Sequence, residues 1–393
     1  MSFQDVYIVA ARRTPIGSFG GNLASIPAVH LGAEAIKGAL KAGHVDAALI
    51  ERVFMGNVLS ANVGQAPTQQ AAHFAGLPES APCTTVNKVC ASGMEAIILG
   101  AQSIMLGIND LVVAGGMESM SQAPFYAPNL RFGHKFGDVK MIDGISRDGL
   151  TSAYTGEAMG VFGDLAAKTY KISRQEQDAF AIDSYERAAK ATQDGLFAKE
   201  ITPVSVDQRG GTIIIDTDEE PTKVKLDKIP HLNPAFSKDG TVTAANASSI
   251  NDGAAALILV GHDKMRELGL TPIARIVSFG EAEQAPELFT STPSLAAKKA
   301  LHRGGLNVKD ISYSEVNEAF AVVAQIFERE MGIDHARNNV FGGAVAMGHP
   351  IGASGARIVT TLANVLQQKN GRYGIASICN GGGGASALVL ERM

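Results

Sequence analysis

Cysteine is scarce in this 393-residue chain: three residues, Cys83, Cys90 and Cys379, with no CxxC pair and no metal-ligand spacing. An odd, low count argues against a disulfide framework and fits a reducing compartment. Long apolar runs are missing too, none approaching the roughly 18 residues that a membrane span needs. No signal or transit peptide precedes the first apolar segment, Val6 to Ala10, and the end Leu390-Glu391-Arg392-Met393 is not a peroxisomal tripeptide. Cytoplasm is the expected location. Net charge is only -5, with a pI of about 6.0. That speaks against a nucleic-acid or anionic-membrane partner, so an anionic substrate must be held by local groups. The glycine tracts match neither a Walker loop nor a G-x-G-x-x-G dinucleotide fingerprint, and nothing matches a zinc site.

What the chain has is an excess of glycine, with apolar residues in ordinary globular proportion. Hydrophobic residues make up 46%, and the length holds about two or three domains with ample core. Glycines number 43, about 11% against a usual about 7%. They point to tight turns and to places where backbone meets ligand or backbone.

Residues 1–118 alternate short strands with helical patterns: a strand Val6 to Ala10, a helix Ala28 to Ala42, a strand within Ile50 to Val58 and a helix around Gln65 to Gly76. The rhythm breaks over residues 119–249, where Ser173-Arg174-Gln175-Glu176 has capping-box spacing and opens a helix to about Gln193. From about 250 it returns, with strands at Ala254 to Val260, Ile311 to Val316, Tyr373 to Cys379 and Ala385 to Glu391. The expectation is an α/β fold of two similar mixed-sheet halves in layers, plus an inserted loop domain. The halves are 1–118 (plus about 250–270) and 271–393, and the insertion is 119–249.

Three landmarks mark the halves as copies. Ala91-Ser92-Gly93 recurs as Ala353-Ser354-Gly355, Val53 to Asn57 lines up with Tyr313 to Asn317, and Gly115-Gly116 with Gly381-Gly382. Corresponding loops then fall on one side of paired sheets, which brings Cys90, Asn317, His349 and Cys379 to one site.

Cys90 stands where an extended segment gives way to a helix with Met94, Ile97, Ile98, Ala101 and Ile104 on its apolar side. Unpaired N–H groups and the positive helix end favour a thiolate nucleophile there, the alternative being a buried free cysteine. His349 lies between Gly348 and Pro350, a restricted backbone that suits an aimed imidazole, or else a satisfied core histidine. Cys379 leads into Asn380 and four glycines, which offer N–H groups to an oxyanion or form only a turn. Asn317 follows a strand and is read as a site residue or as a helix N-cap.

With these four motifs in order, Asn87-Lys88-Val89-Cys90-Ala91-Ser92-Gly93, Asn317-Glu318-Ala319-Phe320, Gly348-His349-Pro350-Ile351-Gly352 and Cys379-Asn380-Gly381-Gly382-Gly383, the chain resembles the thiolases over essentially its whole length. Within them it is most similar to the biosynthetic, short-chain acetyl-CoA acetyltransferases. The resemblance implies half-sheets packed through shared helices, a loop domain over coenzyme A, and a homotetramer or at least a dimer. It implies that Cys90 takes the acyl group, with His349 as its base, and that Cys379 moves the α-proton of a second acetyl-CoA. Asn317, through a water, and His349 then hold the enolate oxygen, and the N–H groups of Cys90 and Gly381 the tetrahedral oxyanion. The substrates are acetyl-CoA, acetoacetyl-CoA and CoA, with no resident cofactor and no metal.

Coenzyme A contacts carried over by position are Ser248 with Ala244 and Ala245, then Met159, Leu150, Phe236 and Phe320, with Lys223 or Lys225 in place of an arginine near the nucleotide. The chain departs from the short-chain pattern at Ala158, usually His, and at Gly163-Asp164-Leu165, usually Ala-Glu-Asn. Acyl-chain preference is therefore open to a 3-ketoacyl-CoA thiolase of longer range. A ketoacyl synthase pairs its nucleophile with two histidines, whereas Cys379 stands in the second place here. A non-catalytic CoA-ester or lipid binder fits less well with four reactive positions retained.

Overall fold

The computed structural model describes residues 4–393. β1 (Val6–Arg13) and the two-residue β2 (Gly17–Ser18) lead into α1 (Ala28–Gly43). β3 (Arg52–Gly56), α2 (Pro67–Phe74), β4 (Cys83–Val86), α3 (Ser92–Met105) and β5 (Leu111–Ser119) complete the first run. An excursion follows, with β6 (Phe125–Tyr126) paired to β7 (Ile142–Asp143), helices α4 (Met159–Tyr170) and α5 (Arg174–Gln193), and the hairpin β8 (Val204–Gln208) and β9 (Gly211–Ile215). β10 (Asn251–Gly261), α6 (His262–Glu267), β11 (Ala274–Glu283) and α7 (Thr292–Arg303) resume the alternation. β12 (Ile311–Val316), α8 (Ala321–Met331), α9 (Ala344–Met347), α10 (Ile351–Gln368), β13 (Tyr373–Asn380) and β14 (Gly384–Arg392) end it.

Strand pairing shows the duplication directly. β3 runs parallel to β5, which pairs antiparallel with β10, and β10 with β1. In the same way β12 runs parallel to β13, which pairs antiparallel with β14, and β14 with β11. The ladders correct one of the sequence landmarks. Gly56 pairs with Gly116 while Val316 pairs with Ser377, so Gly116 corresponds to Ser377 and not to Gly382. By the same register Glu118 corresponds to Cys379.

The paired sheets expected from sequence are one ten-stranded sheet, ordered β12-β13-β14-β11-β1-β10-β5-β3-β4 with β2 on β10. The half-sheets pair with each other where Val6, Tyr7 and Ile8 meet Ile276, Arg275 and Ala274. The shared helices are as expected. α3 and α10 pack on each other, and one apolar cluster joins them to inward residues of both half-sheets, such as Val112 and Leu257 on one side and Ile378 and Leu388 on the other. α1 and α2 cover the far face of the first half, and α7 and α8 that of the second.

Every residue of α10 from Ile351 to Leu366 is buried. A helix enclosed on all sides is the centre of a layered core, and each large aliphatic buried there stabilises the fold by about 1.5–3 kcal/mol. The heads of α3 and α10 meet backbone to backbone. A Cβ on Gly355 would lie 2.4 Å from the Met94 nitrogen, and one on Gly93 would lie 2.8 Å from the Ala356 nitrogen. Glycine at these two positions sets how closely the helix heads approach, and the site is built around those heads.

Candidate active site

Cys90 sits on a sharp turn between β4 and α3. Val89 adopts φ of 47°, a conformation that costs a β-branched residue of order 1–3 kcal/mol. The surrounding bonds fix it there: Asn87 Oδ1 accepts the Val89 N–H at 3.0 Å, Ser92 Oγ accepts the Lys88 N–H at 2.8 Å, and the same hydroxyl donates to the Val89 carbonyl at 2.5 Å. Burial opposes the thiolate expected from the helix end: it pushes the Cys90 thiol up to about 11, the N–H groups of Gly381 and Cys90 offset part of this, and the nearby Glu118 charge adds to it.

His349 is 5% exposed. Its N–H donates to Asn251 Oδ1 at 2.9 Å, and Gly348 reaches the turn with φ of 103°. Ser354 Oγ donates to the Pro350 carbonyl at 3.0 Å and lies 2.5 Å from His349 Nδ1. With its proton committed to Pro350, the hydroxyl accepts from Nδ1–H, an assignment made from this hydrogen-bond pattern. Nε2 then keeps its lone pair, with Asn317 Nδ2 at 3.5 Å. Burial first, and the Arg357 charge second, hold the imidazole down at about 3, so it is neutral at physiological pH.

Asn317 is fully buried behind His349, and its Oδ1 has no protein partner. It is not a helix cap: α8 starts at Ala321, its cap position is Phe320, and no side chain caps it. Cys379 is the last residue but one of β13, at 1% exposure. Burial, then the neighbouring Cys90, raise its thiol well above the ordinary range. Gly382 and Gly383, at φ of 95° and 100°, make the β13–β14 turn that presents the Gly381 N–H to Cys90.

Cys90, His349, Cys379 and Gly381 line a single cavity of about 700 Å³. Its walls include Leu150, Ala158, Met159, Phe236, Phe320, Ala244, Ser248 and Lys223. Phe320 is held edge-on between Phe236 and Phe289, at 6.1 and 6.4 Å between ring centres. The sequence assignment of Ala245 to the wall is corrected. Ala245 is buried in the core with Ile16, Tyr185 and Phe341, because the turn after Thr243 directs Ala244 and Ser248 outward instead. The Lys223 ammonium is already engaged by Glu219 at 2.6 Å and Ser18 at 2.7 Å. Among the described residues no cluster of His, Cys, Asp and Glu could hold a metal, and no helix is long and apolar enough to cross a membrane.

Sequence reasoning missed two residues. Ser354 stood only as a repeat landmark, although its place on the first turn after Pro350 brings its hydroxyl back to His349. Glu118 was invisible until the ladders matched it to Cys379.

The thiolase N-terminal domain model matches residues 6–263, and the thiolase C-terminal domain model matches residues 270–392. The chain is 54% identical to an acetyl-CoA acetyltransferase of Schizosaccharomyces pombe, over 99% of each chain. It is 50% identical to a cytosolic acetyl-CoA acetyltransferase of Gibberella zeae, over 99% of this chain and 98% of that one. The crystal structure of a thiolase from Ascaris suum in complex with coenzyme A superposes with a TM-score of 0.94 at 46% identity, covering 99% of this chain and 100% of that one.

Proposed function

The chain belongs to the thiolase family, and from that premise we propose that it condenses two acetyl-CoA into acetoacetyl-CoA and CoA, or runs the reverse thiolysis, through an acetyl thioester on Cys90. The observation that carries this reading is the meeting of Cys90, His349, Cys379 and Gly381 on one cavity.

Proton bookkeeping assigns the steps. His349 Nε2 takes the Cys90 proton as sulfur attacks the first thioester, and the N–H groups of Cys90 and Gly381 hold the developing oxyanion. The CoA thiolate leaves with the Cys379 proton, which turns a resting thiol into the base that the second half-reaction needs. Cys379 then removes an α-proton from the second acetyl-CoA. Protonated His349, with Asn317 and a bridging water, holds the enolate oxygen. The enolate attacks acetyl-Cys90, and His349 returns its proton to the released sulfur. Both sulfurs and the imidazole end as they began.

The excursion 119–249 serves as the cover for coenzyme A, since Asp143 to Gly160 and Glu220 to Ser249 supply much of the wall. Met159, Leu150, Phe236, Phe320, Ala244 and Ser248 hold the pantetheine and acyl parts, and Lys223 lies toward the nucleotide. CoA esters are substrates, with no resident cofactor. The small Ala158 side chain on the wall leaves room for a longer acyl group, which thiolysis rates on acetoacetyl-CoA against a medium-chain ketoacyl-CoA decide. Phe125, Leu130, Phe132, Phe136 and Met141 are exposed, Phe136 to 96%, an apolar stretch that suits a homotetramer contact; light scattering reads the mass. A cytosolic relative supports a cytoplasmic location.

Labelling with radioactive acetyl-CoA tests the assignment. Cys90→Ser loses the stable acyl-enzyme, whereas Cys379→Ser keeps it and loses condensation. Full labelling of the first variant, or normal condensation by the second, overturns the roles.

A further inference from the structure

Glu118 lies beneath both halves of the site without lining the cavity. It is fully buried on β5, at the place that Cys379 takes in the second half. Four donors converge on its carboxylate: Asn57 Nδ2 at 2.7 Å, the N–H groups of Val58 at 3.0 Å and Leu59 at 3.2 Å, and the Gly352 N–H at 2.9 Å. The first three come from the turn after β3, where Val58 and Leu59 belong to the apolar cluster that Cys90 packs against. The fourth comes from the head of α10, three residues beyond His349. The approach is tight, since a Cβ on Gly352 would stand 2.6 Å from Glu118 Oε2.

We infer that Glu118 is a positioning residue for acyl transfer, its single carboxylate fixing the turn behind Cys90 and the helix head behind His349 in one frame. The inference rests on the roles proposed above for those two residues. An ionised carboxylate only accepts, with about four lone-pair sites, and here four donors use them. A protonated acid or a glutamine amide turns a donor against these N–H groups, and the frame slackens. From α10 Glu118 meets the Gly352 N–H, from the turn after β3 the Asn57 amide and two N–H groups, from β10 the Asp252 carboxylate, and ahead of α3 the Cys90 thiol. Burial, with a smaller push from Asp252, raises the Glu118 carboxyl to about 7. The carboxylate is therefore lost as pH falls through neutrality, and the frame is lost with it.

The test compares the full-length wild type with Glu118→Gln and Glu118→Asp by kcat and KM for acetoacetyl-CoA thiolysis against pH, and by iodoacetamide alkylation of Cys90. In wild type, kcat falls on the acid side of about pH 7. Glu118→Gln lowers kcat about tenfold or more, the order expected when a charged acceptor is lost to buried donors. It leaves KM within about threefold, abolishes the inflection near pH 7, and speeds alkylation because a like charge beside Cys90 is gone. Glu118→Asp keeps the charge and the acid limb. A Glu118→Gln enzyme with kcat within twofold of wild type, with the acid limb intact, or with its whole loss in KM overturns the inference. If that variant does not fold, the wild-type acid limb and Glu118→Asp decide: no limb in either refutes it. Acetyl labelling of wild-type Cys90 is read alongside, and its absence would indict the parent reading instead.

Discussion

Ser354→Ala removes one hydroxyl from a residue that does not line the cavity, and its effect can be worked from the structure. The lost atom is the acceptor for His349 Nδ1–H, at 2.5 Å, and both residues are buried. A buried donor left unpaired costs about 1–3 kcal/mol. That cost falls on the tautomer with Nε2 free, which is the one able to accept the Cys90 proton. At about 1.4 kcal/mol per tenfold, the free-energy change becomes a loss of about 5- to 150-fold in the rate of acyl-enzyme formation. Rapid-quench measurement with labelled acetyl-CoA reads that step directly, and steady-state thiolysis reads kcat separately from KM. The substrate surface is untouched, so KM stays near wild type. A variant that acetylates within twofold of wild type, or that loses only KM, would show that the Ser354 contact does not set the imidazole's proton.

Cys90 titrates late. Because burial raises its thiol to about 11, thiolate accumulates only as pH climbs past the ordinary thiol range of about 8.5. Alkylation at the Cys90 peptide, followed by mass spectrometry in the free enzyme, therefore keeps rising from pH 7 to pH 10. A plateau below pH 8 would refute the burial account. Gly355→Ala places a methyl 2.4 Å from the Met94 nitrogen, a backbone collision that side-chain motion cannot relieve. Overpacking of this kind destabilises by about 1–3 kcal/mol or more, so thermal melting drops by several degrees, and an unchanged melt would mean that the helix heads can part freely.

The candidate site was legible because it lies in short local patterns. Cys-Ala-Ser-Gly, Gly-His-Pro and Cys-Asn-Gly-Gly each fix a backbone turn, and chain order alone put them on matching loops. The capping box at Ser173 was equally local, and both of its bonds form. What could not be read was set by distant partners. The join between β1 and β11 depends on strands some 270 positions apart. Glu118 owes its place to register across β3 and β5, which a run of apolar residues does not encode. Burial opposes the Cys90 thiolate for a related reason: a helix end is visible in sequence, whereas desolvation comes from the whole surrounding cavity wall. Ala245 and Ala244 are adjacent and chemically identical, so only the turn could say which faces the cavity.

The sulfurs of Cys90 and Cys379 come from different halves and meet on one cavity, and the half-sheets pair edge to edge through three residue pairs. So narrow a stitch leaves the alignment of the halves to the apolar cluster around α3 and α10, whose heads meet at glycines that tolerate no extra atom. Turnover is therefore expected to fall in mild denaturant before circular dichroism changes, and loss of both together would show that the halves do not part first.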